Sequence, residues 1–390
     1  MKNLNRSVIK RISSLVLISI LLIACKNDTT EDKTTSTKEE TVKVNDVFWP
    51  LKAILPDGNM LAINAIDKEG NLFDVKAIQN SDQDSFLDIE AFVNDKRLPV
   101  KMLLSDDLFA PVKAIDRGGV IYDIKAISAD GEKLDVKGVK RFGNIISIKA
   151  IAKEGGFYGV KAISPSGKRN DVKGVKINAK EKEMTLNGFN VYAHIKAIHK
   201  SDNDYDSKIS IEKKTKKVAK GKKKNKKDKK KEEFKNILWS IKVVDDNGKN
   251  LDVKAFDEEG NKFDVMAVQN SEQYSFMNIK AIVNGNELPI KVLISEEDYN
   301  PVKAISRDGT VYDIKAIVED GTLIDVKGVS RFGNIVNLNA INKNGGFYPI
   351  IAISPTGIID NVKGVKIFDR ATEQTLRGNK VYAHVKALTK

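Results

Sequence analysis

The sequence predicts an all-β protein, an antiparallel meander of about twelve strand-and-turn units per half, each about twelve residues long, with the half written twice. The first observation behind this is a phrase, Asp-φ-Lys-small-φ with φ apolar. Its first apolar position falls at Leu51, Ile63, Val75, Ile89, Val100, Val112, Ile124, Val136, Ile148, Val160, Val172 and Ile195. Apolar and charged residues alternate within the phrase at the period of two that a strand requires, and its β-branched residues favour strand over helix. The second is a glycine-bearing turn between phrases, as at Asp57-Gly58, Glu69-Gly70, Asp130-Gly131, Asp308-Gly309 and Asp320-Gly321. The third is a copy: Trp49, Asp74, Tyr122, Arg141-Phe142-Gly143-Asn144-Ile145 and His194 reappear without a gap 190 residues later, as Trp239, Asp264, Tyr312, Arg331-Phe332-Gly333-Asn334-Ile335 and His384.

One unit can be read as a hairpin. Pairing positions whose numbers sum to 260 leaves Ala129-Asp130-Gly131 as a three-residue loop, with Gly131 where such a loop needs a positive φ. One face then sets Ile124 against Val136, Ala126 against Leu134 and Tyr122 against Gly138, all apolar. The other sets Lys125 against Asp135 and Asp123 against Lys137, opposite charges worth about 0.2 to 1 kcal/mol per pair. A one-residue slip would spoil both faces at once. Each strand is expected to run roughly nine residues, about 30 Å at 3.4 Å per residue. Irregularity is expected at 80–86 and 176–191, where the step lengthens. A sheet of this size with one apolar face must curl into a barrel, fold into a sandwich or break into propeller-like blades, and periodicity does not choose among them. A membrane-spanning barrel would share the alternation, but aromatic girdles are missing and the turns are short at both ends.

The domain organisation follows as 1–24 signal, 25–44 tether, 45–200 first β-repeat domain, 201–235 lysine-rich linker and 236–390 second β-repeat domain. At the N-terminus Lys2, Arg6, Lys10 and Arg11 precede an apolar run from Leu15 to Ala24, the pattern of a secretory signal. The run ends in Leu22-Ile23-Ala24-Cys25, which resembles the lipobox of bacterial lipoproteins. That resemblance implies cleavage before Cys25, acylation of Cys25, and a flexible tether after it. It further implies residence at the outer membrane, because Lys26 rather than an aspartate follows the cysteine; the face of that membrane is left open. Cys25 is the only cysteine, so the domains are built without internal disulfides.

The net charge of +13 invites a nucleic-acid reading until it is located. Residues 212–231 hold thirteen lysines against two acids and the signal holds four basic residues, so these two segments carry +15 and leave −2 for everything else. The basicity thus belongs to one low-complexity linker. It reads either as a self-repelling spacer or as a strap whose Lys222, Lys223, Lys224, Lys226, Lys227, Lys229, Lys230 and Lys231 meet an anionic surface. Specific nucleic-acid recognition is not expected, since no ordered base-reading element is visible.

No pattern for chemistry stands out. His194 and His384 occupy copied strand positions, no Cys/His spacing suits a metal, and the glycines sit singly in turns rather than in a phosphate cradle. Asp74, Asp123, Asp135, Asp171, Asp252, Asp264, Asp313 and Asp325 fill a repeated slot beside a lysine, so they read as lattice before catalysts. Acid-glycine turns form readily without calcium, and no cofactor or metal is expected. Departures from the repeat are the better candidates for contact: Arg141, Phe142, Arg331 and Phe332 on hairpin tips, with Phe157, Tyr158, Phe347 and Tyr348 as further aromatics, unless the tip rings fold back to plug the core. The expectation is a lipid-anchored envelope lipoprotein with a structural or binding role and no enzymatic activity. Its partners would be the membrane through Cys25 and an anionic glycan, lipopolysaccharide or envelope protein. The alternative is a carbohydrate-processing enzyme or its substrate-binding accessory.

Overall fold

The computed structural model describes residues 43–44, 46–79, 86–198, 211–212, 236–269 and 276–388. Cys25, the lysines at 222–231 and the segments 80–85 and 270–275 lie outside the described residues. The protein is all-β. After β1 (Lys43–Val44), the first half runs β2 (Val47–Ile54), β3 (Met60–Ile66), β4 (Leu72–Gln79), β5 (Phe86–Val93), β6 (Lys96–Leu103), β7 (Ala110–Ile115) and β8 (Ile121–Ile127). It continues with β9 (Lys133–Phe142), β10 (Ile145–Ile151), β11 (Phe157–Ile163), β12 (Arg169–Val175), β13 (Met184–Leu186) and β14 (Phe189–Ile198). A two-residue strand, β15 (Ile211–Glu212), pairs with β1. From β16 (Ile237–Val244) to β28 (Asn379–Leu388) every bound and every pairing of β2 to β14 recurs, displaced by 190 residues.

From β2 to β12 each strand pairs antiparallel with the next, as a meander requires, and further pairings are added to these. In β8, residues 121–123 pair with β7 and residues 125–127 pair with β9 along the same edge, while the other edge runs the length of β3. The change of partner falls at Ile124. The same change falls at Leu51, Ile63, Val75, Ile89, Val100, Val112, Val136, Ile148, Val160, Val172 and Ile195, the first apolar position of every phrase. Strands thereby close into rings of three: β2-β3-β4, β7-β8-β9, β10-β11-β12 and β5-β6-β14. Six further ladders, β2–β11, β3–β8, β4–β5, β6–β7, β9–β10 and β12–β14, join each ring once to each of the other three, the connectivity of a tetrahedron. The twelve strands are thus a closed shell.

This closure corrects the expected hairpin register. The 260 pairing holds next to the turn, where Lys125, Ala126 and Ile127 face Asp135, Leu134 and Lys133, and Gly131 has φ of 85°. Beyond Ile124 it fails, because Asp123 pairs with Lys113 and Lys137 with Pro111. The two strands part to admit a third, so the repeat strands are typically seven residues long rather than nine.

The core follows from the same geometry. Three apolar residues converge at the centre of each ring, for instance Val112, Ile124 and Val136, each no more than 4% exposed. The small residue two places on lies directly opposite a larger one from the next strand of the ring: Ala53 opposite Leu61, Ala65 opposite Phe73, Ala77 opposite Trp49, Ala126 opposite Leu134. Where the small slot holds a large residue, Met102, its opposite number is Ala193, and Gly138 and Gly174 leave room for its thioether. In the second half Val292 takes this place beside Gly328 and Gly364. A methyl group on Gly364 would stand 2.9 Å from Val336 Cβ, which the backbone holds, whereas one on Gly138 would meet the mobile end of Met102. Gly364→Ala is therefore expected to destabilise by about 1–3 kcal/mol and Gly138→Ala by less, as thermal unfolding of the two variants will show.

Candidate functional site

Three rings of each half carry the aspartate–lysine face outward. Lys113 with Asp123, Lys125 with Asp135 and Lys161 with Asp171 form ion pairs there, all partly solvated. In the fourth ring the same slots are filled by Asp88-Ile89-Glu90, Pro99-Val100-Lys101 and His194-Ile195-Lys196; on this face Glu90, Lys101, His194 and Lys196 are buried and Asp88 and Pro99 half-buried. Lys196 pairs with Asp88, in keeping with the lattice. His194 takes an aspartate slot, and its Nδ1 lies 3.1 Å from Lys101 Nζ. Glu90 accepts a 2.6 Å bond from Arg97 Nε, and Arg97 Nη1 reaches Asp46 at 2.8 Å.

The irregular stretch after β12 closes over this face. Lys176, whose side chain is fully buried, donates through Nζ to the carbonyls of Glu181 at 3.0 Å and Tyr192 at 2.8 Å, lies 4.2 Å above the Tyr192 ring centroid, and stands 3.5 Å from Glu183 Oε1. Glu183 accepts the backbone N–H groups of Ile177 and Asn178 at 3.1 and 3.2 Å and faces His194 Nε2 at 3.8 Å. The second half repeats the cluster: Lys291 Nζ is 3.0 Å from His384 Nδ1, Glu373 is 3.8 Å from His384 Nε2, and Lys366 Nζ donates to the Tyr382 carbonyl at 2.8 Å. Lys101 near Nδ1 and Glu183 near Nε2 favour the tautomer with the proton on Nε2.

The two clusters meet each other. Phe86 and Phe276 pack edge to face at 6.0 Å, Phe276 packs on His194 at 5.8 Å, and Phe86 packs on His384 at 6.0 Å. Lys196 Nζ lies 4.6 Å from the Phe276 centroid and Lys386 Nζ lies 4.7 Å from that of Phe86, cation–π contacts reaching from each half to the other. Around them Val175, Ile177 and Ile198 form one apolar cluster with Val365 and Ile367. Asn144 Nδ2 donates to the Lys366 carbonyl at 3.0 Å, and Asn334 Nδ2 donates to the Lys176 carbonyl at 2.9 Å. Each contact maps onto its mate by exchange of the halves, so the joint is a pseudo-two-fold interface like that of an isologous dimer.

The copies differ at the joint in charge. Asp88, Glu90 and Arg97 of the first half correspond to Asn278, Lys280 and Glu287 of the second, so the charges of Glu90 and Arg97 are exchanged while the acid at 88 is lost. Burial first, then the positive charges of Lys101, Lys196 and Lys176, hold the His194 imidazole well below its usual range, and Lys291, Lys386 and Lys366 do the same to His384. Burial, reinforced by Lys196, brings the Lys101 ammonium down to about 7. Burial raises the Glu183 and Glu373 carboxyls against the pull of their backbone N–H donors.

The sequence-predicted contact residues divide. Phe142 and Phe332 do not fold back into the core; they are 85% and 83% exposed. Arg141 and Arg331 each turn Nε onto the carbonyl of the adjacent turn glycine, at 2.6 and 2.5 Å, and Arg331 also meets Asp369 at 2.6 Å. Phe157 packs edge-on to Phe109 at 5.7 Å and Phe347 on Tyr299 at 5.8 Å. The Tyr158 hydroxyl is 3.5 Å from Glu154, and that of Tyr348 accepts from Asn342 at 2.6 Å. These aromatics lie at the far end of β10 from the tips, about 20 Å away for a seven-residue strand, and do not join them. Sequence reasoning missed the joint itself, although a histidine in an aspartate slot was its visible signal.

The fold and joint define a tandem pair of closed β-shells fused as a pseudo-symmetric dimer within one chain. The chain belongs to a family of unknown function, DUF7486, whose model matches residues 45–198 and again 235–388, one match for each half. No curated protein and no solved structure matches it.

The buried imidazoles set a pH dependence. Their folded values are depressed below the unfolded value of about 6.5, so the stability they contribute is complete above that pH and is lost as pH falls below it, where the unfolded chain binds more protons. Lys101 adds a rise in stability from about pH 7 toward 10 by the same linkage. Denaturant unfolding at pH 7.5, 6.5 and 5.5 should show a fall on acidification that is reduced in the His194→Gln/His384→Gln variant.

Proposed function

We propose that the chain is a lipid-anchored lipoprotein of the bacterial cell envelope whose duplicated body binds rather than catalyses. The anchor rests on Leu22-Ile23-Ala24-Cys25 behind a basic start and an apolar run, and the outer membrane on Lys26. The binding reading rests on where the body's reactive groups go. Lattice aspartates are engaged by lysines, and His194, His384, Lys101 and Lys176 lie sealed beneath the joint, so a substrate would have to part the two halves to reach them. A carbohydrate-processing site would instead need two carboxylates facing a cleft. Asp88, half-buried, and Glu90, buried, the acids of the joint without an acidic counterpart in the second half, are held by Lys196 and Arg97. What the body offers a partner is its rigid surface and hairpin tips, with the lysine-rich linker as an additional anionic-surface contact.

Cys25→Ala should abolish incorporation of labelled palmitate in bacterial cells and move the protein from the membrane to the soluble fraction. Retention of the unlabelled variant in the membrane fraction would assign the attachment to the linker or the apolar run and overturn the acyl anchor.

A further inference from the structure

We infer that Phe142 and Phe332 form one two-pronged contact surface that inserts into the headgroup region of an anionic lipid bilayer. The motif Arg-Phe-Gly-Asn is spent on the fold at three of its four positions. Arginine caps the turn carbonyl, the glycines have φ of 59° at Gly143 and Gly333, and asparagine ties the opposite half. The phenylalanine has no such task, yet stands almost fully exposed in both copies. Leu108 is the other described apolar residue of the first half exposed to this degree, and its counterpart is Asp298; the apolar pairs Phe48 and Leu238, Leu104 and Ile294, and Phe157 and Phe347 are each less than half exposed. An aromatic ring that the fold does not use, carried almost fully exposed in both copies, is a contact residue.

The joint brings the prongs together. The Asn144 carbonyl accepts the Lys176 N–H at 2.8 Å while Asn334 Nδ2 donates to the Lys176 carbonyl at 2.9 Å, so the two tips flank a single residue. The same arrangement recurs at Lys366, whose N–H donates to Asn334 at 2.8 Å. Two prongs on one rigid base act together, the second binding at the effective concentration set by the first.

Chemistry selects the occupant. The charged neighbours of the rings on their own hairpins are Lys140, Arg141 and Arg331, and neither hairpin has an acid between Lys137 and Lys149 or between Lys327 and Asn339. Asp369, which meets Arg331, is the acid in contact with a tip arginine. Glycan platforms surround an aromatic ring with free amides and carboxylates, but here the amides of Asn144 and Asn334 are committed to the joint. An apolar ring without a polar handle, flanked by cations, matches the boundary between acyl chains and phosphates. Insertion of the tips does not require acylation, because they belong to the folded body.

The test uses the full chain with Cys25→Ser, unacylated, and vesicles of phosphatidylglycerol and phosphatidylethanolamine with and without brominated acyl chains. The native Trp49 and Trp239 are buried, so Phe142→Trp or Phe332→Trp places a reporter at a tip. Blue-shifted tip emission quenched by bromolipid is expected, in 0.3 M salt that screens the linker's attraction. Phe142→Ala or Phe332→Ala should each lower vesicle partitioning about tenfold, and the double variant about a hundredfold. Tip emission that stays water-like while the chain binds vesicles would mean that the linker or the N-terminal apolar run binds without the tips, and would overturn the proposal. So would partitioning unchanged in the double variant, or a tip shift produced by soluble polysaccharide or protein but not by vesicles.

Discussion

The structure depends on a change of partner at one residue per strand. An ordinary antiparallel strand keeps one neighbour along each edge, and its hairpin register then extends from the turn to the far end. Here the edge is shared: the strand follows one neighbour up to its central apolar residue and another beyond it, as β8 does at Ile124. Three strands doing this together close a ring, and four rings close a shell, which removes the exposed edges that make large sheets prone to self-association. Each letter of the repeated phrase has a place in that ring. The central apolar residue fills its middle, aspartate and lysine pair around its outer rim, and the small residue makes way for a large one across the ladder. Closure also explains how a domain of modest size buries its apolar face without helices or disulfides.

A lattice this regular has little room for function, and the exceptions to it cluster. His194 in an aspartate slot and the irregular stretch from Lys176 to Glu183 belong to one region, where the outer face of the fourth ring is covered, and Met102, in a small slot of the same ring with Gly138 and Gly174 around it, packs on the inner face. Lys176 connects the levels. Its ammonium holds Glu183 beside His194, its N–H donates to the Asn144 carbonyl of its own half, and its carbonyl accepts from Asn334 of the other. The charged groups of the joint are costly to desolvate, and the cluster tolerates them by pairing, by cation–π contact and by keeping its imidazoles neutral.

Much of this was legible in the sequence. The period of two, the turn glycines and the 190-residue offset specify strands, turns and two like halves, and the 260 register is right for the residues beside the turn. The ring was not legible, because alternation says which face a residue occupies and nothing about which strand lies beside it. Asp123 opposite Lys137 satisfies the charge pattern as well as Asp123 opposite Lys113 does; only three-strand closure chooses the second. The joint was hidden for a related reason, since the buried ring is written in nearly the same phrase as the solvated ones. Its signals were local: the histidines at 194 and 384, and the phenylalanines at 86 and 276 that end the lengthened steps. The tips were identified as departures from the repeat, but that their asparagines clasp the opposite half required coordinates.

The claim that the phrase specifies a ring rather than a hairpin is tested most directly by interstrand nuclear Overhauser contacts of Asp123 in the folded protein. The ring predicts contacts from Asp123 to Lys113 on one side and Ile66 on the other, with the 125–135 pairing ending at Ile124. A ladder that continued from Lys125 opposite Asp135 to a contact between Asp123 and Lys137 would contradict it.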